Sequence, residues 1–269
     1  PEFVNKAAAN QAERINTCIG CNQACLDHVF NGKTSSCLVN PRACEETRII
    51  IAPTQAIKTI AIVGAGPAGL ACAVTAAERG HKVTLYDAAS EIGGQFNIAK
   101  RIPGKEEFSE TLRYFEVRLA ELNVEVKLNT SLTTQALNQM QVDELVLATG
   151  VSPRQLALPG HNHAKVLNYL EVIKGVNVGP KVAIIGAGGI GFDVAEFLTH
   201  GTHEPSTNVT QFMSQWGIDM TMQARGGVAE IPQNIEASPR EIYLLQRKTS
   251  KVGAGLGKTT GWVHRTGLQ

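Results

Sequence analysis

One pattern, present twice, constrains this chain more than anything else in it: a β-branched run, a turn of the form G-x-G-x-x-G, and an apolar helical run. The first copy is KTIAIV followed by GAGPAG, Gly64 to Gly69, and the second is KVAII followed by GAGGIG, Gly186 to Gly191. In such a turn the first glycine permits the tight bend. The second lets a pyrophosphate approach the backbone, and the third lets the helix pack on the strand. Uncapped N–H groups and the dipole at the helix start supply the anion site. A tight turn that binds nothing is the plain alternative, and the context of each copy weighs against it.

Around the first copy the sequence predicts a strand over Lys58 to Val63, a helix from Pro67 to Arg79 stopped by Gly80, and a strand over Lys82 to Tyr86. That is a βαβ unit. Asp87 ends the second strand, where its carboxylate can accept from ribose hydroxyls. A helix over Glu106 to Leu122, a strand over Val124 to Leu128 and a strand in DELVLATG ending at Gly150 complete a first domain, residues 58–160. The polar stretch APTQAIK before it reads as a linker.

The second copy opens a domain over residues 175–269, with a strand from Lys181, a helix over Phe192 to His200 and a strand over Glu241 to Lys248. Between them, Gly201 to Pro239 is polar and rich in Gly, Pro and Ser, too long for an ordinary connection and expected to be an insertion or functional loop. The acceptor strand ends in Gln246, Arg247 and Lys248 where an acid would suit NAD, so a cationic end points to the 2′-phosphate of NADP. A solvated strand end is the alternative. Two such motifs imply two dinucleotides, and a flavin beside a nicotinamide is the economical pair for hydride transfer.

Five of the six cysteines crowd into residues 18–44. Cys18, Cys21, Cys25 and Cys37 have the spacing C-x2-C-x3-C-x11-C, with Gly20, Asn22 and Gly32 as turn residues that let four thiolates converge. Tetrathiolate sites hold structural zinc or an iron–sulfur cluster, and spacing alone does not decide between them. Beside two dinucleotide motifs an electron carrier is favoured; unligated or disulfide-paired thiols are the remaining alternative, against which a cytosolic setting counts. Cys44 lies outside the spacing, and Cys72, in the alanine-rich helix, reads as a small buried hydrophobe. The expected fold is therefore α/β: two Rossmann-like dinucleotide-binding domains, of three-layer ββα/βαβ type, behind a cysteine-rich iron–sulfur segment, residues 1–53.

Composition excludes other classes. The chain has 25 basic and 24 acidic side chains, so no whole-chain field favours nucleic acid or an anionic membrane, and 5% aromatics gives little material for base stacking. The uncharged run from Thr59 to Ala77 contains Gly64, Gly66, Pro67 and Gly69, against a membrane span. No export signal opens the sequence, so a reducing cytoplasm is expected. His28, His161, His163, His200, His203 and His264 have no metal-binding spacing and read as surface or structural residues. Asp193 and Glu196, three apart on one helix face, could form a carboxylate pair but read as a solvated helix face or a domain contact.

Several strings are specific beyond a generic dinucleotide fold: CIGCNQACLDHVF, CLVNPRA, VGAGPAGL, EIGGQFNIAK, IPGKEEF, KVAIIGAGGIGFD, and LQRK with GLGKTTGWVHR. Over essentially its whole length the chain resembles the bacterial-type NADPH-dependent 2,4-dienoyl-CoA reductases, within the wider family that includes trimethylamine dehydrogenase. The resemblance implies an N-terminal (β/α)8 barrel with FMN and the acyl-CoA site, a [4Fe–4S] cluster, then FAD and NADP(H) domains. It implies Cys18, Cys21, Cys25 and Cys37 as cluster ligands. Gly64, Gly66, Pro67, Ala68, Gly69, Asp87, Gly94, Gln95, Lys105 and the backbone at Leu132 would lie at FAD. Gly186, Gly188, Gly189 and Ile190 would seat NADP, with Gln246, Arg247 and Lys248 at its 2′-phosphate.

By the same resemblance, electrons pass from NADPH to FAD, to the cluster and to FMN, which reduces an unsaturated fatty acyl-CoA in β-oxidation. The family's proton-donating tyrosine and its neighbouring histidine belong to the barrel and have no counterpart in these residues, so no catalytic residue is carried over. With no barrel and an end at Gln269, about 20 residues past Arg247, a fragment of a longer enzyme is expected. The alternatives are an electron-transfer subunit like the glutamate synthase small subunit, and a cofactor-binding remnant without turnover.

Overall fold

The computed structural model describes residues 2–154, 157–200 and 205–268. It divides into two compact units, Pro1–Lys100 with Glu107–Gln155, and Arg101–Glu106 with Leu156–Gln269. The cysteine segment belongs to the first unit and contributes the short helices α1 (Phe3–Ala8) and α2 (Leu26–Phe30). Then follow β1 (Thr59–Val63), α3 (Pro67–Glu78), β2 (Lys82–Tyr86), α4 (Phe96–Ala99), α5 (Phe108–Glu121), β3 (Glu125–Lys127), α6 (Thr134–Asn138) and β4 (Glu144–Leu147).

The four strands form one sheet in the order β3-β2-β1-β4. Every pairing is parallel, with Thr59 opposite Lys82, Ile60 opposite Glu144 and Thr84 opposite Glu125. Central β1 buries Ile60, Ala61 and Ile62 in succession, as a strand covered on both faces must. Helix α3 buries Leu70, Ala73 and Val74, spaced three and four apart, and α5 buries Leu112, Phe115 and Leu119 at the same periodicity. These side chains join Val83 and Leu85 of β2 in one core. Gly80, with φ +92°, ends α3 in the left-handed conformation, where a side chain would be strained.

The second unit contains α7 (Tyr169–Ile173), β5 (Lys181–Ile185), α8 (Gly189–Thr199), α9 (Val209–Gln215), β6 (Glu241–Leu245) and α10 (Gly261–Gly267). Strands β5 and β6 pair in parallel from Lys181 opposite Glu241 to Ile185 opposite Leu245. Helix α8 buries Phe192, Val194, Ala195 and Leu198. The architecture is α/β with parallel sheets, each strand-to-strand connection passing through helix, as a Rossmann-like fold requires.

Two expectations need correction. Helix α8 starts at Gly189, three residues before Phe192, because the glycines after the turn sit in the first helical turn, where their low propensity matters least. Strand β6 stops at Leu245, so Gln246, Arg247 and Lys248 lie beyond the ladder rather than on it. The stretch 201–239, expected as an insertion or functional loop, carries structure of its own beyond its first four residues, which lie outside the described ones. It contains α9, capped by Asn208 on the backbone N–H of Gln211, and a turn in which Asp219 accepts from the N–H groups of Thr221, Gln223 and Ala224.

Candidate functional site

The first glycine turn is fixed from two directions. Gly64 has φ +110°, and a Cβ there would lie 2.2 Å from the carbonyl oxygen of Ala148; a Cβ on Gly69 would lie 1.8 Å from that of Gly64. Neither position admits a side chain, so α3 can begin directly against β1. Gly66 differs: a Cβ there meets nothing within 4 Å. Helix α3 opens with Pro67 and has no side-chain cap, whereas Thr133, Asn168 and Asn208 cap α6, α7 and α9. An open second glycine before an uncapped helix of twelve residues is a cradle of the kind a pyrophosphate fills.

Asp87 braces this cradle. Its Oδ2 accepts from the N–H of Ala65 at 2.6 Å and its Oδ1 from that of Ala89 at 2.8 Å, so the acid expected at the ribose also holds the turn in shape. The EIGGQ loop closes over the same turn. Gly93 donates its N–H to the Ala65 carbonyl at 2.7 Å, and Gly94, with φ +53°, would bring a Cβ within 3.1 Å of the Gly66 Cα. Gln95 donates from Nε2 to the Val151 carbonyl at 3.1 Å. The structure thus gathers Gly64, Gly66, Asp87 and Gly94 at one end of the sheet. Leu132 lies in the loop between β3 and α6. Lys105, expected at the flavin, lies in the second unit, where its Nζ is 2.6 Å from Oδ1 of Asp193.

The second turn repeats the backbone of the first. Gly186 has φ +121°, and a Cβ on Gly191 would lie 1.9 Å from the Gly186 carbonyl oxygen. Gly188 and Gly189 face open space, Ile190 is exposed, and α8 starts without a side-chain cap. Beyond β6, Gln246 donates from Nε2 to the carbonyls of Lys248, at 3.0 Å, and of Ser250. The Gln246 amide therefore shapes the turn that displays Arg247 and Lys248, both exposed.

Four titratable side chains meet on α8 without any signal in the local sequence. Asp193 pairs with Lys105, and Oε1 of Glu196 is 2.7 Å from Nδ1 of His264 on α10. The hydrogen bond to Glu196 raises the His264 pKa above its ordinary value, against the opposing effects of burial and of Lys105. Asp193 and Glu196 thus each hold a separate partner within the second unit, neither a bare solvated face nor a contact between the units. Other histidines have structural partners: ring nitrogens of His28, His161 and His200 lie 2.7–3.0 Å from backbone carbonyls, and Nδ1 of His163 accepts from the Lys165 N–H. His203 lies outside the described residues.

In the cysteine segment, Gly20, Asn22 and Gly32 all take positive φ, +64°, +56° and +67°. The N–H of Gly20 points at Sγ of Cys18 across 3.4 Å. Cys18, Cys21, Cys25 and Cys37 are free thiols. Burial raises the Cys21 pKa most; a hydrogen bond from the Gln23 backbone opposes it, and the charges of Cys25, Cys37 and Cys18 add to it, so the four sulfurs share one electrostatic neighbourhood. Among the described residues no three His, Cys, Asp or Glu side chains converge as ligands of a metal ion. Cys44 is exposed with φ +63°, and Cys72 packs against the core of the first unit, its thiol pKa raised by burial.

Known proteins include relatives of this chain. The family described as "Pyridine nucleotide-disulphide oxidoreductase" matches residues 58–224. A metal reductase of Desulforamulus reducens is 37% identical over 268 residues, 97% of this chain and 39% of the relative. A cinnamate reductase of Clostridium sporogenes is 35% identical over 199 residues, 73% of this chain and 30% of the relative. The solved complex of 2-naphthoyl-CoA reductase with 2-naphthoyl-CoA matches 72% of this chain and 30% of its own, with TM-score 0.70 and 35% identity. The chain spans about two fifths or less of each of these proteins. Among the described residues no helix is long and apolar enough to cross a membrane.

Proposed function

Because the chain belongs to the pyridine nucleotide-disulphide oxidoreductase family, we propose that it is the electron-transfer portion of a longer NADPH-dependent reductase. The first glycine turn would seat the pyrophosphate of FAD and the second that of NADPH. The observation that carries the reading is the paired turn: in each, the third glycine is closed by a backbone oxygen while the next glycine after the bend faces open space before an uncapped helix. Asp87 keeps lone pairs for a ribose hydroxyl while bracing Ala65. Arg247 and Lys248, exposed on the turn that Gln246 closes, would meet the 2′-phosphate. Bound FAD supplies the exchange between a hydride and single electrons.

Cys18, Cys21, Cys25 and Cys37 would hold a [4Fe–4S] cluster. Around one zinc, with bonds of about 2.3 Å, tetrahedral thiolates stand only about 3.8 Å apart. A cluster spreads its thiolates over several irons, and beside two dinucleotide turns four free thiols in one segment suit an electron carrier. The N–H of Gly20 on Cys18 is the kind of donor that tunes a cluster's sulfurs. Free thiols in this number suit a reducing cytoplasm.

The finer reading, from the sequence resemblance, is a 2,4-dienoyl-CoA reductase whose FMN and thioester site lie in a barrel outside these residues. Two relatives are named for reducing cinnamate and 2-naphthoyl-CoA, both with unsaturation conjugated to an acyl group, which supports an unsaturated acyl substrate. The test is anaerobic purification with assays of flavin, iron, sulfide and zinc. About one FAD and about four irons per chain are expected, with flavin reduction on adding NADPH. Zinc without iron would remove the cluster. Iron and FAD without NADPH oxidation would leave a remnant.

A further inference from the structure

The stretch just ahead of Cys18 is gripped by a helix of the first unit. On α5, Arg113 donates from Nη1 to the carbonyl of Glu13 at 2.5 Å and from Nη2 to that of Ile15 at 2.9 Å, while its Nε is held by Glu110 at 2.7 Å. At the end of the helix its neighbours continue the grip: the last residue, Glu121, lies 2.9 Å from Nε of Arg14 and is also paired with Arg118, which reaches Glu78 of α3 at 2.6 Å. The far side of the cysteine loop is tied to the same stretch, because Nδ2 of Asn16 donates to the carbonyl of Val39 at 2.7 Å, two residues after Cys37. Thus residues 13–16 are the point through which both ends of the thiol quartet refer to α5. That helix is itself fixed, with Leu112, Phe115 and Leu119 in the core shared by β1 and α3.

We propose that Arg113 and Glu121 are positioning residues that seat the cysteine segment on the first nucleotide-binding unit, setting the separation between the thiolate quartet and the flavin. A guanidinium bonded to main-chain carbonyls grips the chain whatever side chains it carries, and planar, multiply bonded geometry fixes angle as well as distance. Electron transfer between two centres falls off exponentially with their separation, so a seat that drifts slows the relay without touching either ligand set. The inference rests on the function proposed above, and it separates from it experimentally.

The test compares Arg113→Met and Arg113→Lys with the parent 269-residue chain, as isolated and after iron removal. Hydrogen exchange reads the seat directly: the amides of Arg14 and Ile15, bonded to Gln11 and Ala12, are protected only while the stretch is held. In Arg113→Met they are expected to exchange at least about tenfold faster, with and without iron, the loss of one charge-assisted bond being enough for that factor. Flavin and iron contents stay at parent levels, while the bleaching of cluster absorbance after NADPH slows by a comparable factor. Arg113→Lys, with fewer donors, falls between. Unchanged exchange, or faster exchange with unchanged bleaching, overturns the proposal. Should Arg113→Met lose its fold, Glu121→Gln, which leaves Arg113 in place, is read in the same way and is expected to show a smaller shift in the same direction. A parent chain without iron defeats the function proposed above, and exchange in the iron-free chain still decides the seat.

Discussion

The two glycine turns share a backbone and differ in their walls. Their first glycines have φ +110° and +121°, and the third glycine is closed by the first one's carbonyl at 1.8 Å and 1.9 Å. Yet a Cβ on Gly64 would also strike Ala148, whereas a Cβ on Gly186 meets nothing within 4 Å. The cause is β4, which lies beside β1 and brings Ala148 to the turn; among the described residues β5 pairs with β6 and has no such second neighbour. Burial follows the same line, β1 being buried through its centre while β5 alternates and leaves Ile185 68% exposed. The comparison teaches that the glycine-turn geometry belongs to the local strand, turn and helix, and does not require a second neighbouring strand beside the first.

The largest expected effect breaks that geometry in one copy at a time. Gly69→Ala and Gly191→Ala each force a Cβ onto a backbone oxygen, and overpacking of this kind costs about 3 kcal/mol or more. Gly69→Ala is expected to purify without flavin absorbance. Gly191→Ala is expected to retain flavin but to show no flavin reduction by NADPH. Equal loss of flavin in both would show that the copies are not independent.

A smaller effect sharpens the difference in charge. Arg247→Ala would remove the charged bond proposed to the 2′-phosphate, worth about 1.5–3 kcal/mol, and should raise the KM for NADPH about 10- to 100-fold while NADH changes by less than about twofold. Equal shifts for the two nucleotides would remove the assignment. The smallest effect concerns pH. The His264 pKa is raised in the folded chain by Glu196, so the pair's contribution is complete below the ordinary histidine value of about 6.5 and is lost as pH rises through the raised one. Both groups are partly exposed, and the change should stay under about 1 kcal/mol. Melting curves across that range should slope for the parent and flatten in Glu196→Gln.

Strong local signals were legible in the sequence. The βαβ unit around GAGPAG falls within a residue of its expected bounds at each element, because β-branched runs, Pro67 at a helix start and Gly80 at a helix end are all local. The left-handed turns at Gly20, Asn22 and Gly32 were legible for the same reason. The start of α8 was not, since glycine propensity argues against a helix that tertiary packing of Val194, Ala195 and Leu198 enforces. The pairs Lys105 with Asp193 and Glu196 with His264 span 88 and 68 residues, and nothing local announces them. A motif such as IPGKEEF records a residue's neighbours along the chain, whereas the unit into which Lys105 folds is decided by contacts far from it.

The parallel ladder between β5 and β6 closes at Ile185 and Leu245, and the cationic pair follows it on an exposed turn. Replacing Arg247 or Lys248 therefore disturbs no interior side chain. On the proposed seating of the 2′-phosphate, lineages that draw reducing power from different pools could exchange one electron donor for another by editing this short appendage, while the scaffold behind it is inherited unaltered.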